Sequence, residues 1–154
     1  MSETLGLISD THGLLRPEAV AALRGCDSLI HAGDIGSAEV LEQLRQVAPV
    51  VAVKGNVDTG AWSWGLPRTE VVEFGSRTIY VIHILSDLNL ESPPAGVSAV
   101  VCGHSHKPSV EERDGVLYVN PGSAGPRRFR LPVSVARMSL TEGRLIVRIV
   151  ELDA

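Results

Sequence analysis

Over residues 5–54, short apolar runs alternate with segments of helical period, a pattern with few architectural solutions. Leu5–Ser9, Ser28–Ala32 and Val50–Lys54 are apolar runs that end in polar residues, as strands buried on both faces do. Between them, residues 16–24 open on Pro17 and set Ala19, Val20 and Leu23 on one helical face. Residues 37–47 carry Val40, Leu41, Leu44 and Val47 at helical spacing behind Ser37, a candidate N-cap. Strand, helix, strand, helix, strand in this order predicts a parallel sheet with right-handed crossovers.

Beyond residue 68 the pattern changes to strands alone. Residues 69–74 and 77–84 flank Gly75-Ser76, and residues 99–102 form a fully apolar strand. Residues 109–113 and 116–119 flank Asp114-Gly115, the strongest short hairpin signal in the chain. A last hairpin, residues 132–140 and 144–152, turns at Glu142-Gly143. The expected fold is therefore α+β: a meander of strands follows the βαβαβ unit, giving two packed sheets with helices outside.

With 154 residues, the chain accommodates one domain, residues 1–154, with a substantial core. Only 4% of residues are aromatic, so that core must be built from Val, Leu, Ile and Ala. A formal net charge of −4 argues against general nucleic-acid binding or attachment to an anionic membrane. It leaves room for a small phosphorylated substrate met by metal ions. Cys26 and Cys102 each border an apolar run and read as buried thiols. Residues 1–4 show no basic leader or cleavage-like site, and no apolar run approaches membrane-spanning length. A cytoplasmic protein is expected, and the exposed hairpins leave a homodimer open.

The chemistry gathers at strand ends. The first strand runs into Asp10-Thr11-His12, the second into Gly33-Asp34 and the third into Gly55-Asn56. His83 lies near the end of the 77–84 strand, and Gly103-His104-Ser105-His106 follows the strand ending at Cys102. Ligand sites of α/β sheets assemble at the carboxyl ends of strands. Imidazole, carboxylate and amide oxygen without thiolate suit a borderline divalent ion such as Mn, Fe, Zn or Co. Asp10, His12, Asp34, Asn56, His83, His104 and His106 exceed one tetrahedral site and suit two ions sharing a bridging carboxylate. Gly33, Gly55 and Gly103 each precede a ligand, where a tight turn needs a small backbone.

The ordered set D-x-H, GD, GN, lone His and GHSH resembles the calcineurin-like metallophosphoesterases. GNVD at 55–58 and NPGS at 120–123 narrow the likeness to small YfcE-type phosphodiesterases. The resemblance implies a four-layer α/β/β/α sandwich, with two mixed β-sheets packed face to face and flanked by helices. It assigns Asp10, His12, Asp34 and His106 to one metal and Asp34, Asn56, His83 and His104 to the other, with Asp34 bridging. Asp34, Asn56 and His104 carry over as catalytic residues. Two divalent ions are implied, Mn2+ first, with Fe, Zn, Ni or Co as alternatives, and a hydroxide between them would attack phosphorus in line. The expected activity is hydrolysis of a small phosphodiester; a phosphomonoesterase, or a non-catalytic Vps29-like protein-interaction scaffold, is the alternative.

Two positions depart from the family pattern. Larger members read GNH, whose histidine helps protonate the leaving group; here Val57 stands there and cannot donate. The residue after His83 is commonly glycine, whereas Ile84 and then Leu85 follow here, so the second site is expected to be reshaped, with Asp87 a candidate to reach it. His31 lies inside a strand and reads as a core or supporting residue. Asn120 either orients a site residue or caps the Pro121-Gly122 turn. Arg127, Arg128 and Trp62 are candidate substrate contacts. For the arginines an exposed charged loop competes with that role, and for Trp62 packing at the core edge does.

Overall fold

The computed structural model describes residues 3–89 and 95–153; Met1 and Ser2 of the N-terminal reading lie outside them. Strands β1 (Thr4–Ile8), β2 (Ser28–His31) and β3 (Val50–Ala52) pair in parallel, linked by helices α1 (Pro17–Leu23) and α2 (Ala38–Arg45). Pro17 opens α1, and its missing N–H costs nothing in a first turn. Ser37 occupies the N-cap of α2 in an extended conformation, but its hydroxyl makes no capping hydrogen bond.

The remaining strands are β4 (Thr69–Phe74), β5 (Arg77–Ile82), β6 (Ala99–Val101), β7 (Ser109–Arg113), β8 (Val116–Asn120), β9 (Ser134–Thr141) and β10 (Arg144–Glu151). They do not form a simple meander. The β9–β10 hairpin returns to the first sheet, whose order is β10-β9-β1-β2-β3, and the second sheet runs β4-β5-β6-β8-β7. Strands β5, β6 and β8 are parallel to one another, so the second sheet is mixed. The physical reason is the length of the connections: residues 83–98 and 102–115 are long enough for crossovers, whereas tight turns can join only antiparallel neighbours. Asp114 and Gly115 both adopt positive φ, 52° and 80°, between the paired residues Arg113 and Val116. This is the geometry a two-residue hairpin turn demands.

The sheets pack face to face through an aliphatic layer. Leu5, Leu7 and Ile30 of the first sheet and Ile79, Val81, Val101 and Val119 of the second are all buried there. Period-two alternation sends the intervening Tyr80 and Ile82 to the outer face of the second sheet. On the outer face of the first sheet, Ala19 and Leu23 of α1 and Val40, Leu41 and Leu44 of α2 pack with Ile8 and Leu29. Gly6 permits this approach, since a Cβ there would meet Leu29 Cδ2 at 2.6 Å and Leu23 Cδ2 at 2.8 Å. On the outer face of the second sheet, Leu85 and Leu88 of the 3-10 turn Leu85–Asn89 and Val97 of the loop before β6 pack with Tyr80 and Ile82. The fourth layer is thus thinner than the first, which holds α1 and α2. Both cysteines are buried free thiols, and burial pushes Cys102 up to about 12. No described helix is long and apolar enough to cross a membrane.

Candidate metal centre

Parallel pairing brings the ends of β1, β2 and β3 to one edge of the first sheet. The ends of β5 and β6 share an edge of the second in the same way. The polar tips on these ends converge. Asp10, His12 and His106 form one cluster, and Asp34, His83 and His104 a second, each offering ligand atoms within 4.8 Å of one another. In the first cluster, His12 Nε2 lies 3.4 Å from His106 Nε2, and Asp10 Oδ1 lies 3.8 and 3.5 Å from them. Bonds of about 2.1 Å arranged tetrahedrally give edges of about 3.4 Å, so these atoms stand close to the spacing of metal ligands.

Asp34 links the clusters. Its Oδ2 lies 3.2 Å from His83 Nε2 and 3.8 Å from His12 Nε2, while Oδ1 accepts the Val57 N–H at 3.1 Å. Asn56 is exposed and lines a cavity shared with His83. Arg128 is exposed, and its charge helps to lower the pKa values of His12 and His106. Arg127 is also exposed on this loop. Trp62 is half-buried against the helix-side core, while Trp64 is 75% exposed.

The backbone that presents these groups is strained. Asp10, His12, Asp34, His104 and His106 all have φ between 47° and 72°, in the left-handed region that costs an L-residue about 1–2 kcal/mol. Asp and His tolerate it better than most residues, and such strain concentrates at functional sites. Glycines serve in two ways here. Gly33 adopts φ +104°, and a Cβ there would meet the His83 ring at 2.7 Å. Gly55 and Gly103 keep negative φ and are needed for space alone, since a Cβ at Gly103 would meet Ser9 Oγ at 2.2 Å.

A supporting layer fixes the presented atoms. Ser9 Oγ donates to Asp10 Oδ2 at 3.0 Å, the His104 N–H donates to the same oxygen at 3.1 Å, and Ser123 Oγ donates to the Asp10 carbonyl. Asn120 fills both roles weighed for it. Its Oδ1 accepts the Gly122 N–H, and its Nδ2 donates to the Gly103 carbonyl and to Ser105 Oγ, tying down the GHSH loop. His31 is fully buried: Nδ1 accepts the Gly33 N–H at 3.1 Å, leaving Nε2–H to face Thr11 Oγ1 at 3.0 Å. Sequence reasoning passed over Asp58 except as a motif letter. Its buried carboxylate accepts N–H groups from Ile35, Gly36 and Gly55, clamping the loops that follow β2 and β3. No residue pattern marks this role, since all three donors are backbone N–H groups and two of them lie more than 20 residues away.

Electrostatics make this a demanding pocket without a cation. Burial raises Asp10 to about 6. Burial lowers His106 to about 4, with Arg128 and His12 adding to the effect. Burial also lowers His12. For Asp34 burial pushes upward, but contacts led by His83 outweigh it and hold the carboxyl below its ordinary value. For His83 burial pushes downward, and Asp34 and Asp10 outweigh it and raise the imidazole. Three buried polar atoms here have no hydrogen-bond partner: Asp10 Oδ1, His83 Nε2 and His106 Nδ1. His83 Nε2 approaches Asp34 without hydrogen-bond geometry. Asp10 Oδ1 and His83 Nε2 lie 3.9 Å apart, and orphaned atoms that face each other in this way are what divalent cations satisfy, so the donor set fits metal ions. Ile84 keeps negative φ, and the 3-10 turn begins right after it, so a β-branched residue is accommodated. Asp87 pairs with Arg68 at 3.6 Å.

Residues 4–143 match the calcineurin-like phosphoesterase superfamily domain, and the chain belongs to that family. A probable metallophosphoesterase of Methanocaldococcus jannaschii is 34% identical over 97% of this chain and 81% of its own. Two solved structures share the fold with a TM-score of 0.77. One is described as a novel archaeal phosphodiesterase, 22% identical over 96% of this chain and 99% of its own. The other is vacuolar protein sorting 29 of Cryptosporidium parvum, 21% identical over 99% of both chains. Equal likeness to the two means that the site, and not the fold, must decide function.

Proposed function

We propose that this chain is a metal-dependent phosphodiesterase acting through a dinuclear centre, with residues 1–154 as its single domain. The position of Asp34 between the two clusters carries the reading. Asp10, His12, Asp34 and His106 would hold one ion, and Asp34, Asn56, His83 and His104 the other. Bound there, two divalent ions supply an activated water and polarise the phosphoryl oxygens. Manganese leads among the candidate ions, with Fe, Zn, Ni or Co as alternatives of the same ligand preference.

The chain's own residues set the rest. Contacts led by His83 hold the Asp34 carboxyl below its ordinary value against the upward push of burial, so a charged carboxylate is available to serve two ions. His104 and Asn56 stand at the exposed side of the second cluster, where a substrate phosphate arrives, and are assigned catalytic contact with it. Arg128, with Arg127 on the same loop, offers forked donors to a phosphate entering beside His12 and His106. Trp62 is assigned only a marginal contact, since its indole is largely spent on the core. Val57 has no proton to give, and a general acid contributes about 10²–10⁴-fold. Leaving groups that need no protonation are therefore favoured, and among esters the aryl phosphodiesters fit best.

The experiment is elemental analysis of purified protein followed by hydrolysis assays on bis(p-nitrophenyl) phosphate and p-nitrophenyl phosphate. Two ions per chain, metal-dependent turnover and faster release from the diester are expected. Two bound ions without turnover on either ester would replace this reading with a binding scaffold, and faster monoester release would make the protein a phosphomonoesterase.

A further inference from the structure

A cavity of about 170 Å³ opens beside Asn56 and His83 and is lined further by Lys54, Arg68, Thr69, Ile82, Ile84 and Asp87. Pockets that engulf a whole drug-sized ligand measure about 300–1,000 Å³, so this one takes only one end of a substrate. Its walls are of two kinds. Ile82 and Ile84 contribute apolar lining, while Lys54 and Arg68 bring two positive charges against the single negative charge of Asp87. Arg68 Nη2 lies 3.6 Å from Asp87 Oδ2, which keeps the guanidinium at the cavity while leaving it 66% exposed. Lys54 is half-buried, and among the described residues it has no ion-pair partner. The formal balance of these three side chains is +1, next to a centre that takes a phosphate.

We propose that this cavity is a subsite for a second anionic group of the substrate, joined by a short aliphatic link to the reacting phosphate. Lys54 and Arg68 are its cationic partners and the isoleucine wall receives the link. The inference rests on the phosphoesterase reading only for where the reacting phosphate sits. It narrows the substrate class from any small phosphodiester to one that bears a carboxylate or a further phosphate. Simple aryl diesters then engage the metals but leave this subsite unused.

The test uses two phosphonates that no phosphoesterase can hydrolyse, propylphosphonate and 3-phosphonopropionate, which differ by a methyl against a carboxylate. Each is titrated calorimetrically into the manganese-loaded protein. 3-Phosphonopropionate is expected to bind about tenfold more tightly, the scale of one added charge-assisted contact at a partly exposed site. In Lys54→Gln/Arg68→Gln the ratio should fall to about one. Equal affinities in the unsubstituted protein, no binding of either compound, or a ratio that survives the double substitution would each overturn the subsite. The outcome is separable from the parent reading. A tenfold ratio with no diester turnover keeps the anion subsite and removes the phosphodiesterase assignment.

Discussion

His83 Nδ1 lies 2.7 Å from the carbonyl oxygen of Ala32. A carbonyl can only accept, so Nδ1 carries a proton and Nε2 is the nitrogen left to face Asp34. The neighbouring strand thereby fixes the tautomer a metal ligand requires. His83→Ala should therefore remove one ion. Elemental analysis is expected to give one metal per chain, with the first cluster still filled, and diester turnover should fall at least about 100-fold. Two ions retained would remove His83 from the ligand set.

Asp58 is a positioning residue for the same centre. Asn at this position keeps one oxygen for three N–H donors, so at least one buried donor loses its partner. Hydrogen bonds to a charged group contribute about 1.5–3 kcal/mol each. Asp58→Asn should lower unfolding free energy by about 2–4 kcal/mol in chemical denaturation and weaken metal affinity at the second cluster. Unchanged stability would show that the clamp contributes nothing.

His31 predicts a pH dependence. Burial, aided by the charge of His83, lowers its pKa from 6.5 to about 3. Below pH 6.5 the unfolded chain binds a proton that the folded chain refuses. The stability linked to His31 is thus whole above pH 6.5 and is lost as pH falls toward 3. Asp10 works the other way, since its folded pKa of about 6 exceeds its ordinary 3.8. A difference measurement isolates His31. The stability advantage of the metal-free protein over His31→Gln should shrink steadily between pH 6.5 and 4. A constant advantage across that range would mean that His31 titrates normally.

Much of this architecture was legible in residue order. The runs at β1, β2, β4 and β8 announce themselves by apolar content and by Gly or Asp-Gly punctuation, and Asp114-Gly115 fixes the turn that brings the polar β7 beside β8. Which sheet a strand joins was not legible. Val119 pairs across to Val101 because a long connection lets β8 run parallel to β6, and no local residue encodes that choice. At the centre, residue types singled out the Asp and His side chains that the fold gathers into two clusters, because few roles require these residues together at strand ends. The left-handed backbone at Asp10, His12, Asp34, His104 and His106 stayed hidden. The surrounding packing imposes it, against the preference of each residue. The Asp58 clamp was equally silent, since its three donors come from backbone groups that carry no sequence signature.

Asp34→Asn removes the one charge that both clusters share. Asn preserves size and the acceptor for the Val57 N–H. The assay is turnover of bis(p-nitrophenyl) phosphate with manganese, alongside metal content by elemental analysis. Asp34→Asn is expected to hold fewer than two ions and to lose at least about 1,000-fold in kcat. Full turnover by Asp34→Asn would remove the shared carboxylate from the chemistry.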